Sequence, residues 1–196
     1  MKRTGFAALF LAFCLILYGC GNTLPQKTED GLSWDDGWVT VGTFLGVDTP
    51  DDLTPRENND ALAGNGMYYA TWSLGDGQPY ENAEGNEATV YDAQVYMLLA
   101  EGDSPDEAAA FSEEWLSMAQ AQYSVHTTAQ EICAGQAFTI LCYGFSGAGN
   151  PYKTGVSAFG HHGNYAMSVE LSCGEDFTGN ARELLLDFLN HCHYAA

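Results

Sequence analysis

Basic residues are scarce: the 196-residue chain has six Lys and Arg against 26 Asp and Glu, a formal net charge of −20. Binding to a phosphate backbone requires Lys and Arg, so nucleic acid is excluded as a partner. The spacings that announce familiar chemistry are missing too. The sequence holds no His-x-x-x-His, Cys-x-x-Cys or His-Glu-x-x-His for a metal, and no Gly-x-Ser-x-Gly for a nucleophile. The glycine-rich stretch GFSGAG (Gly144–Gly149) precedes a strand pattern rather than a helix, so it reads as a turn and not as a phosphate cradle. The acidic loops lack the spaced oxygen ligands of an EF-hand, and Asp35–Asp36 and Asp51–Asp52 read as solvated loop charge. No catalytic residue, metal or cofactor is expected, and no internal repeat is present.

One long apolar run exists, at the start. MKRTGFAALFLAFCLILYGCGN places Lys2 and Arg3 before an apolar stretch from Phe6 to Tyr18. That is the length of a secretory signal core, shorter than the ~20 residues that span a bilayer. Leu17, Gly19 and Cys20 follow in an order that resembles the lipobox of bacterial lipoproteins, in which the cysteine is acylated and the chain is cut before it. The resemblance implies cleavage of residues 1–19, lipid attachment (palmitate or a similar acyl chain) at Cys20, and a cell-membrane location on the extracytoplasmic side. An ordinary signal peptide with a chance cysteine and an uncleaved anchor are the competing readings. Cleavage takes two of the six basic residues away, leaving four against 26 acidic ones. Residues 20–33, polar and containing Pro25, read as a tether. Residues 34–196, in a chain 46% hydrophobic with eleven tyrosines, read as one folded domain.

Within that domain the charge is uneven. Ser124 to Cys173 carries only Glu131 and Glu170 among its acids, which marks it as the core of a sheet. GWVTVGTFLGVD (Gly37–Asp48) reads as one edge strand, and Pro50 and Pro55 exclude a long helix after it. MYYATWSL (Met67–Leu74) is a strand, GDGQPYENAEGNE a loop, and ATVYDAQVYMLLAEG one longer strand with Tyr91, Ala93, Val95, Met97 and Leu99 on one face. Ser104, Pro105 and Glu107 form a capping box that opens a helix with Ala108, Phe111, Trp115, Met118, Ala119 and Gln122 on one side. Two hairpins follow, turning at Ala134–Gly135 and near His162–Gly163. In the last strand Tyr165, Met167, Val169, Leu171 and Cys173 share a buried face. A final helix carries Ala181, Leu184, Leu185, Phe188 and Cys192.

This pattern predicts an α+β fold: an antiparallel sheet of about five to seven strands packed by two amphipathic helices, an α/β sandwich. The order of elements from Met67 to Tyr194, with AGQAFTILCYGF leading to a terminal docking helix, resembles the Mog1/PsbP-like fold. That resemblance implies a binding role and carries no site residues over.

With Cys14 removed and Cys20 acylated, Cys133, Cys142, Cys173 and Cys192 remain, an even set suited to two disulfides in an exported protein. The Ala134–Gly135 turn sets Cys133 opposite Gln136 and Cys142 near Thr127, roughly 20 Å apart and too far to bond. The terminal helix runs back about 22 Å from the end of the last strand and returns Cys192 to the turn. Cys133–Cys192 with Cys142–Cys173 is the expected scheme, and four free buried thiols the alternative.

The candidate binding surface is aromatic: Tyr152, Phe159, His161, His162 and Tyr165, in and beside loops, with Trp34 and Trp38 near the tether. Core packing explains the same residues. The expected function is a non-catalytic, lipid-anchored domain that binds an envelope protein or carbohydrate. An envelope hydrolase assembled from His and carboxylate groups is the alternative, and a calcium-assisted adhesion module a further one.

Overall fold

A computed structural model describes residues 34–35, 37–42, 44–59, 65–81, 85, 87–145 and 150–195. Its elements are β1 (Trp34–Asp35), β2 (Trp38–Val41), β3 (Leu45–Asp48), β4 (Thr54–Asn59), β5 (Met67–Leu74), β6 (Gln78–Glu81), β7 (Glu87–Val90), β8 (Ala93–Glu101), α1 (Pro105–Gln122), β9 (Ser124–Cys133), β10 (Gln136–Gly144), β11 (Tyr152–His162), β12 (Tyr165–Gly174), α2 (Ala181–Asn190) and β13 (Cys192–Tyr194). The lipobox and tether lie outside the described residues, as do Ser146–Gly149 of the glycine-rich stretch.

Seven strands form an antiparallel sheet in the order β4-β5-β8-β12-β11-β10-β9. The two helices cover opposite faces of it, so the α+β architecture is layered helix, sheet, helix. Period-2 alternation explains the division, because each strand sends successive residues to opposite sides. On one face Val95, Met97, Leu99, Val169, Leu171, Ile140 and Ala158 pack with Leu185, Phe188 and Leu189 of α2. On the other, Leu98, Ala100, Ala166, Phe159 and Leu141 pack with Trp115 and Ala119 of α1.

A four-stranded sheet, β1-β2-β3-β13, completes the α2 layer and contributes Val39, Val41, Leu45 and Val47 to the same core. Trp72 binds the layers together. It is wholly buried, meets Phe188 edge-on at 4.8 Å, and donates its indole N–H to Thr49 Oγ1 at 3.0 Å.

Local signals act as the sequence suggests in several places. Ser104 Oγ accepts the Glu107 N–H and caps α1, while Glu107 Oε2 reaches back to Asp103 N rather than to Ser104 N. Asn180 caps α2 by accepting from the N–H groups of Arg182 and Glu183. Ala134 (φ 48) and Gly135 (φ 78) make the two-residue turn, with both residues left-handed as a primed hairpin turn requires. Cys133 faces Gln136 and Cys142 faces Thr127.

Other expectations need correction. Gly37–Asp48 is a hairpin, β2 with β3, rather than one strand. The presumed loop after Leu74 holds a β6–β7 ribbon, and the long strand after it breaks at Tyr91–Asp92. Cys192 is not on the terminal helix. It opens β13 and pairs with Val47, because the chain turns at His191 and returns to the N-terminal sheet.

The four described cysteines, Cys133, Cys142, Cys173 and Cys192, are not bonded to one another in this structure. Asn190 Oδ1 accepts the Ala134 N–H at 3.0 Å, so the end of α2 docks on the hairpin turn and sets Cys133 and Cys192 in one neighbourhood. The expected Cys142–Cys173 pairing does not fit the register. Cys142 faces Val156 on β11, and Cys173 lies beyond Thr154 on β12. Two strand spacings and two residues separate them, roughly 12 Å, well past the ~7 Å limit for Cα atoms of a disulfide.

Candidate functional site

The register gathers polar residues from distant parts of the sequence on the α1 face. Ser73 of β5 lies beside Gln94 of β8, Gln94 beside Ser172 of β12, and Ser172 beside Gly155 of β11. One step along the strands, Thr71, Tyr96, Glu170 and Ser157 form a parallel row. Of the five buried polar residues described, Thr71, Ser73, Ser157 and Ser172 all belong to these two rows. The fifth, Ser112, lies on α1. A sheet face covered wholly by a helix would be apolar here. Polar residues persist because they find hydrogen-bond partners, Ser73 in Arg56, Ser157 in Tyr143 and Ser172 in Glu170, near the point where α1 ends at Tyr123.

Glu170 is at the centre. Tyr143 Oη donates to its Oε2 at 2.8 Å and Tyr123 Oη at 3.4 Å, while Ser172 Oγ donates to Oε1 at 3.0 Å. Tyr143 gives its single hydroxyl proton to Glu170, so Ser157 Oγ is the donor across the 2.7 Å contact with Tyr143 Oη. Dense packing around the carboxyl group desolvates it and pushes its pKa up, and the four hydroxyls pull against that shift. Tyr143 is raised well above the usual phenol range, first by burial and then by Glu170 beside it. Glu170 and Gln94 nevertheless keep partial exposure although they stand on the two central strands, so solvent reaches the sheet at this point.

Aromatic rings border the opening. Tyr123 stacks on Tyr143 at 4.1 Å with the planes 3° apart, and Phe145 stands edge-on to both. The Tyr143 ring lies on the backbone of Gly155, in the space where a Cβ would project. Only glycine permits that approach. Tyr152 Oη donates to Gln94 Oε1 at 2.9 Å, Arg56 Nε to Ser73 Oγ at 2.6 Å, and the Arg56 guanidinium lies 4.7 Å from the centre of the Tyr91 ring.

The five aromatic and histidine candidates from the sequence are scattered. Tyr152 borders the opening. Phe159 is buried under α1, and His161 is exposed at the hairpin end. His162 and Tyr165 meet on the opposite face, where His162 stacks on Tyr194 at 5.1 Å and Tyr165 on Phe44 at 4.1 Å. Trp38 lies across Gly46 and 5.2 Å from His193. Sequence reasoning missed Glu170, Tyr143, Ser157, Ser172 and Gln94. The available signal was an acid and two serines at alternate positions of β12 in a stretch almost free of charge.

The arrangement suits recognition by hydrogen bonding. For two-carboxylate hydrolysis the partner acid must stand within roughly 5–9.5 Å. The carboxylate in the same row, Glu57, faces Thr71 three strand spacings from Glu170, about 14 Å away, and is engaged by Tyr69 Oη. Among the described residues no group of three or more His, Cys, Asp and Glu is placed to hold a metal ion. The thiols are poor nucleophiles, because burial pushes Cys173 and Cys192 up to about 12.

No protein-family model matches the chain, and no curated protein matches it in sequence. Among solved structures it is similar to a protein of Bacteroides thetaiotaomicron, at 13% identity and a TM-score of 0.48 over 78% of this chain. The chain spans 45% of that protein's length. It is also similar to PsbP (CyanoP) of the cyanobacterium Synechocystis, at 12% identity and a TM-score of 0.37, over 74% of this chain and 94% of the other.

Proposed function

We propose that the chain is a lipid-anchored extracytoplasmic protein that binds an envelope component, with carbohydrate as the favoured class, through the polar opening over Gln94 and Glu170. The observation that carries this reading is the partial exposure of Gln94 and Glu170 within a hydrogen-bonding row on the central strands, beside the partly exposed rings of Tyr123 and Phe145. Flat aromatic walls with a few convergent polar groups suit sugars, whose rings offer apolar faces and hydroxyl edges. The anchor rests on Leu17, Gly19 and Cys20, and two or three acyl chains hold a protein on a membrane almost irreversibly. In an oxidising compartment Cys133 and Cys192 are the pair that forms a disulfide, and its loop gives on the order of 4 kcal/mol in the chain-entropy model.

The experiment is retention of the full-length protein on isolated envelope polysaccharide. Wild type is retained, Glu170→Gln and Tyr152→Phe lose at least ~10-fold in affinity (~1.4 kcal/mol), and Cys20→Ser leaves the membrane fraction. Equal retention of all forms, or retention of none, refutes the site; a Cys20→Ser protein that stays in membranes refutes the anchor.

A further inference from the structure

The two edges of the seven-stranded sheet are built differently. The β4 edge has six residues, includes Pro55, and slips register between Pro55 and Glu57. Proline and a short span blunt an edge against further pairing, and these set β4 apart, since both edges carry a register shift. The β9 edge is ten residues long, SVHTTAQEIC, with neither proline nor lysine. Other outer strands among the described residues, β1, β13 and the β6–β7 ribbon, have two to four residues. Six of the ten β9 residues are exposed, and Ile132 at 77% is the most exposed large hydrophobic residue described. A largely exposed β-branched apolar residue on an edge that no other described strand pairs is a pairing surface.

We propose that β9 joins two copies of this chain, antiparallel about Ala129, so that their sheets run on as one. The register chooses the axis. Side chains directly opposite in an antiparallel pair must share a face, and Thr128, Gln130 and Ile132 lie on the α1 face while Thr127, Ala129 and Glu131 lie on the other. A two-fold axis at Ala129 then sets Thr128 against Gln130 of the second copy and Thr127 against Glu131. Beyond Thr127 the strand carries one extra residue, since Thr127 faces Cys142 and Val125 faces Tyr143. That bulge returns Val125 to the α1 face, opposite Ile132 of the second copy, so each end of the ladder closes on an apolar, β-branched pair.

Charge selects the occupant. Glu131 is the only acid in β9 and is already paired with Arg182, so two chains of net charge −20 meet along a neutral strip. A basic partner strand finds no acid there to recognise. The symmetric contact is self-closing and produces a dimer rather than a fibre.

The test uses the full-length, membrane-anchored protein with cysteine placed at the axis. Ala129→Cys meets its own symmetry mate and is expected to cross-link to a disulfide dimer under mild oxidation, with Gln78→Cys on β6 as the exposed control that does not. Chemical cross-linking of otherwise wild-type protein should yield the dimer, and Ile132→Lys should weaken it about tenfold or more. Ile132 is exposed, so that substitution leaves folding intact. A monomer with no Ala129→Cys product overturns the proposal. A dimer insensitive to both positions overturns it in favour of another surface, and an Ala129→Cys product with a different protein overturns it in favour of a foreign strand.

Discussion

The two faces of the seven-stranded sheet are made by the same strands yet carry opposite chemistry. Odd positions of β8 and β12 face α2 and the small sheet, and short of the exposed end at Glu101 they are apolar: Val95, Met97, Leu99, Met167, Val169, Leu171. Even positions face α1 and change character halfway along. Leu98, Ala100, Ala166 and Tyr96 pack in one cluster with Trp115, whereas Gln94, Glu170 and Ser172 are polar and lie toward the end where α1 gives way to Tyr123. Cover decides the difference. Where an apolar layer seals the sheet, a polar group without a partner costs about 1–3 kcal/mol and apolar residues hold the positions. Where the helix stops, polar residues can persist, and here they have organised into a network with defined partners. One face is an apolar core and the other carries a hydrogen-bonded network.

Breaking the sealed face has the largest expected effect. Trp72→Ala removes a wholly buried indole, its edge contact with Phe188 and its hydrogen bond to Thr49. A loss of about 3–5 kcal/mol is expected from urea unfolding, with the denaturant slope unchanged. A loss below about 1 kcal/mol would show that Trp72 does not bind the layers together.

Gly155→Ala probes the open face with a smaller perturbation. Its methyl occupies the space of the Tyr143 ring, which must leave Glu170 and Ser157. Strain of this kind costs about 1–3 kcal/mol, less than Trp72→Ala, yet polysaccharide retention should fall as far as in Glu170→Gln. Unchanged retention in a folded Gly155→Ala protein would separate Tyr143 from the site.

The contrast between faces also explains what the sequence made legible. Local features were readable: the Ser104 cap, the Ala134–Gly135 turn, the pairing of Cys133 with Gln136, and the alternation that buries Tyr165 to Cys173 on one side. Each depends on neighbours a few residues away. Pairing of Cys192 with Val47 joins residues 145 positions apart and leaves no local trace, so the terminal strand looked like the end of a helix. The polar rows were hidden for a related reason. Ser168, Glu170 and Ser172 alternate with the buried residues of β12, and nothing in β12 itself tells what covers them. Only the register that aligns Ser73, Gln94 and Ser172 across three strands turns separate polar residues into a site. Aromatic residues misled in the other direction, since Phe159 reads the same in sequence whether a helix covers it or not.

The finest separation of the two faces is a difference in pH response, and it has the smallest expected effect. Glu170 is the titrating carboxyl group of the network, and the groups around it are the hydroxyls of Tyr143, Tyr123, Ser157 and Ser172. Its folded pKa is raised above the unfolded value, so between the two values the native state holds a proton that the unfolded chain has lost. Stability from this group is therefore fully present below the ordinary carboxylate range and is lost as pH rises through the raised folded value. The chain's other carboxylates impose their own pH dependence, which is common to wild type and Glu170→Gln and cancels between them. Urea unfolding from pH 4 to 8 should show the wild type losing stability relative to Glu170→Gln as pH rises, with the change concentrated above the ordinary carboxylate range. Val169→Ala, one residue away on the sealed face, should shift stability by an amount independent of pH. Parallel curves for wild type and Glu170→Gln would mean that the desolvation of Glu170 is fully offset by its hydroxyl partners, and that the open face is no less settled electrostatically than the sealed one.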